Sequence, residues 1–201
     1  MSEPRDLNIV TVIGTSRPGC YTAKAINLVN DELGKHGIRV TCLDAAELEL
    51  GFPGEPVTAD ATELQRIVGE ATGVVLATPE YHGSFASRLK LIIENLGFPS
   101  RLSGKPVALL GVASGRIGAI KSLEQLRGVC SHVGALVLPG PVSVAGVNRV
   151  FDEDGNCIDE AAEKAVRGLA NRLRDYIDQR ICPAIALERM VRSDAPEAAA
   201  G

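Results

Sequence analysis

No two cysteines in this chain stand close enough to make a C-x-x-C pair: Cys20, Cys42, Cys130, Cys157 and Cys182 lie 22 or more positions apart. An odd, scattered set argues against a disulfide framework or a zinc site and suits a reducing compartment. A small core residue is the plain reading of each except Cys20. Charge of one sign is nowhere concentrated either: 21 Lys and Arg stand against 25 Asp and Glu, a net −4. Without a basic block, neither nucleic acid nor an anionic membrane is an expected partner, and a small anionic ligand would need local help. Long apolar runs are missing too. Val107 to Val112 is far too short to cross a bilayer and Met1-Ser2-Glu3-Pro4-Arg5-Asp6 is polar, so the expected location is the cytoplasm. His36, His82 and His132 are dispersed, and no serine or cysteine has the setting of a base-activated nucleophile. Neither a catalytic dyad nor a metal site is expected. Tryptophan is absent, beside three Tyr and four Phe.

What the chain has is alternation. With 201 residues and 45% hydrophobic composition it can bury one sizeable core. Leu7 to Ile13, Ile38 to Leu43, Gly73 to Thr78, Pro106 to Val112 and Ala135 to Leu138 read as strands. Between them come helical patterns: Ala25, Leu28, Val29 and Leu33, stopping near Gly37; Leu64, Ile67, Val68 and Ala71 behind an Asp60 cap; Leu89, Ile92, Ile93 and Leu96; Leu126, Val129, Cys130 and Val133. Asp154-Gly155 reads as a tight turn, and Asp159 opens a last helix with Ala162, Val166, Leu169 and Leu173 inward. The expectation is a single α/β domain over residues 1–192, a right-handed doubly wound five-stranded parallel sheet, followed by a disordered tail over 193–201.

In a sheet of order 2-1-3-4-5 the topological switch lies between the first and third strands, where ligands sit at the carboxyl ends. Periodicity alone does not separate that order from the dinucleotide-binding one. Three small-residue loops would converge at the switch: Gly14 to Gly19, Thr78-Pro79-Glu80-Tyr81-His82-Gly83-Ser84, and Ala113 to Gly118. The first, Gly14-Thr15-Ser16-Arg17-Pro18-Gly19-Cys20-Tyr21-Thr22, sets hydroxyls and an arginine at a helix start. Free N–H groups and partial positive charge there, with a bidentate guanidinium, are what a phosphate dianion needs. An ordinary capped helix start is the alternative. Gly14 and Gly19 have the spacing of a nucleotide-triphosphate loop, but Cys20 and Tyr21 stand where Lys and Ser or Thr belong. The G-x-G-x-x-G dinucleotide fingerprint is also absent, which makes Asp44 a loop-capping residue instead of a ribose ligand. A mononucleotide remains.

These loops resemble the NADPH-dependent FMN reductase family of flavodoxin-like quinone, azo-dye and chromate reductases, over roughly residues 7–180. The family pattern reads G-[ST]-x-R-x-G-S-[FY]-N in the first loop and T-P-E-Y-N-G-S with a following L-K in the second, with a Ser-Gly-rich third loop. The resemblance implies a flavodoxin-like fold. It places Thr15, Arg17, Cys20, Tyr21 and Thr22 on the FMN phosphate-binding stretch, Pro79, Glu80, Tyr81, His82 and Gly83 against the isoalloxazine, and Ser114, Gly115 and Arg116 at the flavin's other edge. Cys20 stands for Ser, Thr22 and His82 for Asn, and Ala119 for a second Gly. The implied activity is hydride transfer from NADPH or NADH to FMN N5 and then to a quinone, azo compound, free flavin or metal oxyanion, in a homodimer or homotetramer. An alternative is a non-catalytic flavin-binding electron carrier; the paucity of aromatics to cover the ring favours a reductase. Plainer readings stand beside each residue: Tyr81 at a subunit interface, His82 as an exposed loop residue, Arg116 as solvated surface, Glu80 holding its loop, Lys90 on the polar face of its helix.

Overall fold

A computed structural model describes residues 7–193. Six parallel strands form its sheet: β1 (Asn8–Ile13), β2 (Arg39–Asp44), β3 (Gly73–Tyr81), β5 (Pro106–Val112), and the short β6 (Leu136–Val137) and β7 (Val142–Val144). A two-residue β4 (Ser84–Phe85) pairs antiparallel with the end of β3. The order is β2-β1-β3-β5-β6, with β7 also paired to β5. The expected fifth strand, Ala135 to Leu138, shortens to β6, and β7 is a strand that the sequence reading did not include. Pro139-Gly140-Pro141 separates β6 from β7, and proline has no N–H to continue the ladder. β3 is also longer than expected, running through Pro79 and Glu80.

Side-chain alternation along β1 builds two cores. Ile9 and Ile13 face α1 (Tyr21–Lys35) and α5 (Glu160–Tyr176), joining Ile26, Val29, Val166 and Leu169. Val10 and Val12 face the opposite layer of α2 (Ala59–Glu70), α3 (Ser87–Glu94) and α4 (Ile120–His132), with Leu64, Ile92 and Leu126. Both faces of the strand are thus covered, the condition for a parallel sheet. Thr11 is fully buried, and its hydroxyl donates to Asn30 Oδ1 at 2.9 Å.

Several sequence readings are corrected. The α2 cap is Thr58, whose Oγ1 accepts the Ala61 N–H at 3.0 Å; Asp60 instead accepts from Glu49 N at 2.7 Å. Cys42 is exposed, because β2 is an edge strand with one poorly covered face. Beyond α5 the helix continues through a wide π turn (Ile177–Ile181) into α6 (Cys182–Ser193), so residue 193 is helical. The remainder of the expected tail, 194–201, lies outside the described residues. No helix among the described residues is long and apolar enough to cross a membrane.

Candidate functional site

The carboxyl ends of β1, β3 and β5 open onto one cleft of about 260 Å³. Gly14 brings the first loop close to its neighbours: its N–H donates to the Ala77 carbonyl at 2.8 Å, and a Cβ would fall 2.5 Å from that oxygen. This glycine serves packing. Gly19, at φ +61°, then turns the chain into α1. Cys20 is the N-cap, its Sγ accepting the Ala23 N–H at 3.4 Å, which satisfies one of the free donors of the first helical turn.

Thr22 is the unusual residue. It lines the cleft and is fully buried, yet its Oγ1 has no hydrogen-bond partner. Leaving a hydroxyl buried and unpaired costs about 1 to 3 kcal/mol. Arg17 lines the same cleft, and among the described residues its guanidinium makes no ion pair. A helix N-terminus, an unpaired cation and an unpaired hydroxyl converge on one volume. That donor set fits a phosphate monoester.

The middle stretch is a hairpin. β3 and β4 pair Glu80 with Phe85 and Tyr81 with Ser84, leaving His82 and Gly83 as the two turn residues at φ +50° and +76°. Two positive φ values in succession are the signature of the type I′ turn, whose twist matches the strands. Thr78 fixes the base of the hairpin, its buried hydroxyl accepting the Ala86 N–H at 3.0 Å and donating to the Pro79 carbonyl at 2.8 Å. Pro79, Glu80 and Tyr81 line the cleft; His82 and Gly83 point their turn elsewhere, with the Gly83 carbonyl accepting from Gln125 Nε2 at 2.9 Å.

Cross-links hold the loops in register. Tyr81 OH lies 3.4 Å from Thr15 Oγ1, joining the hairpin to the first loop. Glu80 Oε2 accepts the Ser122 N–H at 3.0 Å, joining it to the start of α4. In the third loop Ser114 lines the cleft, whereas Gly115 and Arg116 are exposed outside its lining. Gly115 instead ties its carbonyl to the N–H groups of Gly118 and Gly146. Ala119 is fully buried against Gly111, where an added Cβ would approach within 2.6 Å, so the pair accommodates only one side chain. Lys24 and Val147 line the cleft without having been singled out in the sequence. For Lys24 a signal existed: a cation at the start of a helix opposes the dipole. Val147 follows a segment distant in sequence and carried none.

A doubly wound sheet of order β2-β1-β3-β5-β6 with its cleft at the strand carboxyl ends has the flavodoxin-like arrangement, and solved structures agree in fold. The flavoenzyme NAD(P)H:(acceptor) oxidoreductase FerB from Paracoccus denitrificans superposes with a TM-score of 0.74 at 20% identity, covering 86% of this chain and 98% of that one. An archaeal flavodoxin superposes at 0.59 and 10% identity, covering 86% and 99%. The chain belongs to the NADPH-dependent FMN reductase family, whose model matches residues 7–148. It is 34% identical to an NADPH azoreductase from Bacillus sp. (strain OY1-2), over 85% of this chain and 93% of that protein. It is 27% identical to a quinone reductase from Escherichia coli (strain K12), over 86% and 96%. The protein is accordingly an NAD(P)H-dependent flavin oxidoreductase that uses FMN.

Proposed function

We propose that the cleft between the first loop and the β3–β4 hairpin holds FMN, and that the enzyme passes electrons from NADPH or NADH to a quinone or an azo compound, with free flavin and metal oxyanions as further acceptors. The observation that carries this reading is the buried, unpartnered Thr22 Oγ1 beside the unpaired Arg17 and the start of α1. Thr22, Arg17 and the first-turn amides hold the phosphate. Cys20, already engaged by Ala23 N, contributes chiefly as the helix cap, since a thiol is a weak hydrogen-bonding group. Tyr21 forms the wall beside them. Thr15 acts through Tyr81, keeping the first loop against the hairpin. Pro79, Glu80 and Tyr81 flank the ring from one side and Ser114 from the other, while His82, Gly83, Gly115 and Arg116 shape the rim.

The chemistry that bound FMN supplies is two-electron transfer, hydride in from NAD(P)H and electrons out to the acceptor. The chain's part is positioning. Glu80 is committed to the α4 N-terminus and is not placed as a base; its carboxylate fixes the spacing between the hairpin and the third loop. The relatives named for azo and quinone reduction support the acceptor class. We read the unit as residues 1–192 acting in the cytoplasm, with five free thiols in keeping. A homodimer or homotetramer is supported by the exposure of Tyr81, Ile117 and Ile120, which a second copy would cover.

The test is a visible absorption spectrum of the purified protein, before and after FMN and then NADPH under anaerobic conditions, followed by addition of a quinone or an azo dye. Flavin bands that bleach with NADPH and return with the acceptor support the reading. Bands that bleach but are not restored by either acceptor overturn the acceptor class, and failure to take up FMN overturns the cleft assignment.

A further inference from the structure

Lys24 stands outside the loop pattern that describes the phosphate stretch, yet it lines the same cleft as Arg17. It sits four residues past the Cys20 cap. Helical side chains lean toward the N-terminus, so a residue there reaches back over the first turn. A cation in that place opposes the helix dipole, and α1 has no acidic residue in its first turn to offset it. Among the described residues Lys24 makes no ion pair. Its ammonium donates to the Asp152 carbonyl at 2.8 Å and lies 5.4 Å from the centroid of the Tyr21 ring.

The Asp152 carboxyl is held below its ordinary value first by Asn156, with the Lys24 charge contributing, but neither it nor Glu80 makes an ion pair with Lys24. Glu80 accepts from Ser122 N, and the Asp152 carboxylate accepts from Asn156 N at 2.7 Å and Asn156 Nδ2 at 3.0 Å. The hold on Lys24 is also built. Phe151 stacks on Tyr21 with centroids 6.3 Å apart, and it bridges to Cys157 across the turn. Within that turn the Gly155 N–H shares the Asp152 carbonyl at 3.2 Å. A single carbonyl uses one of the ammonium's three donors, leaving two for a ligand.

We propose that Lys24, held by the 151–157 turn, is a second cation for the FMN phosphate and sets the preference for phosphorylated flavin over riboflavin. This deepens the cleft reading above and rests on the phosphate end of FMN lying there. Riboflavin has the same ring and ribityl chain without the dianion, so the pair of ligands isolates the charge.

The experiment titrates FMN and riboflavin into the flavin-stripped full-length chain, following flavin fluorescence, for the wild type, Lys24→Met, Lys24→Arg and Arg17→Ala. The expected result is that Lys24→Met raises the Kd for FMN by about tenfold, the scale of one charge-assisted hydrogen bond, with riboflavin unchanged and Lys24→Arg retaining FMN. If Lys24→Met leaves FMN affinity intact while Arg17→Ala weakens it, the Lys24 assignment is wrong and the cleft reading stands. Equal loss of FMN and riboflavin in Lys24→Met overturns the assignment in favour of a structural role for the lysine. If neither Lys24→Met nor Arg17→Ala changes FMN affinity, the phosphate is bound elsewhere and both fail.

Discussion

The Glu80 carboxylate caps α4 from another element, its Oε2 accepting the Ser122 N–H at 3.0 Å. Ala119, at the N-cap position of that helix, offers no side-chain acceptor of its own. A carboxylate at the positive end of a helix is favourable both as an acceptor and through the dipole. Glu80→Ala should therefore lower unfolding free energy by about 1 kcal/mol, with Glu80→Gln losing less. Urea denaturation of the three proteins checks this, and an unchanged midpoint in Glu80→Ala would contradict it.

Thr22→Val should separate the resting protein from its complex. Removing a buried hydroxyl that has no partner relieves the flavin-free protein, raising its Tm. The same change should weaken FMN by about tenfold, because the hydroxyl finds its partner only in the ligand. Thermal scans without flavin and a binding titration with it measure the two signs.

Arg17→Ala should cost FMN affinity about 1.5 to 3 kcal/mol, the worth of a hydrogen bond to a charged group, and leave riboflavin affinity unaffected. Since this guanidinium makes no ion pair among the described residues, its loss should leave the Tm of the flavin-free chain within experimental error. Calorimetric titration with each flavin reads the difference.

The hairpin turn predicts a stability change. Gly83 sits at φ +76°, where a Cβ is strained, so Gly83→Ala should destabilise by about 1 to 2 kcal/mol. His82→Asn, at φ +50°, should instead hold or raise the Tm, because Asn-Gly is the favoured pair in a type I′ turn. Differential scanning calorimetry of both variants tests the turn type.

Acid should loosen the contact between α1 and α5. The Asp31 carboxyl is held below its ordinary value first by the Lys35 hydrogen bond and then by Arg167, and Glu32 first by Asn171 against the opposing effect of burial. Because the folded values are depressed, the stabilisation is full above the ordinary carboxylate value, 4.5 for Glu32, and is lost as pH falls through that value and then through the folded one. Tm measured from pH 7 downward should drop below about 4.5, and Glu32→Gln should flatten that drop.

Most elements and their class are legible in the sequence, because helix periodicity, strand runs and caps such as Asp159 are properties of neighbouring residues; β4, β7 and α6 are not. The sequence also brought out the three loops at the strand ends, since glycine, proline and hydroxyl residues interrupt apolar runs there. The rest depends on packing between distant segments. Thr22 is legible as a candidate at the helix start, but only packing buries its hydroxyl without a partner. Glu80 and Ser122 are 42 positions apart, and nothing local to either announces the bond. Lys24 acquires its setting only when the 151–157 turn, 128 positions away at Asp152, delivers a carbonyl to it. His82 and Gly83 share a motif with Glu80 and Tyr81 but lie outside the cleft lining, because a two-residue turn carries the chain away from the strand end. Local chemistry fixes which segments can form; which polar groups are left without partners depends on every element that packs over them.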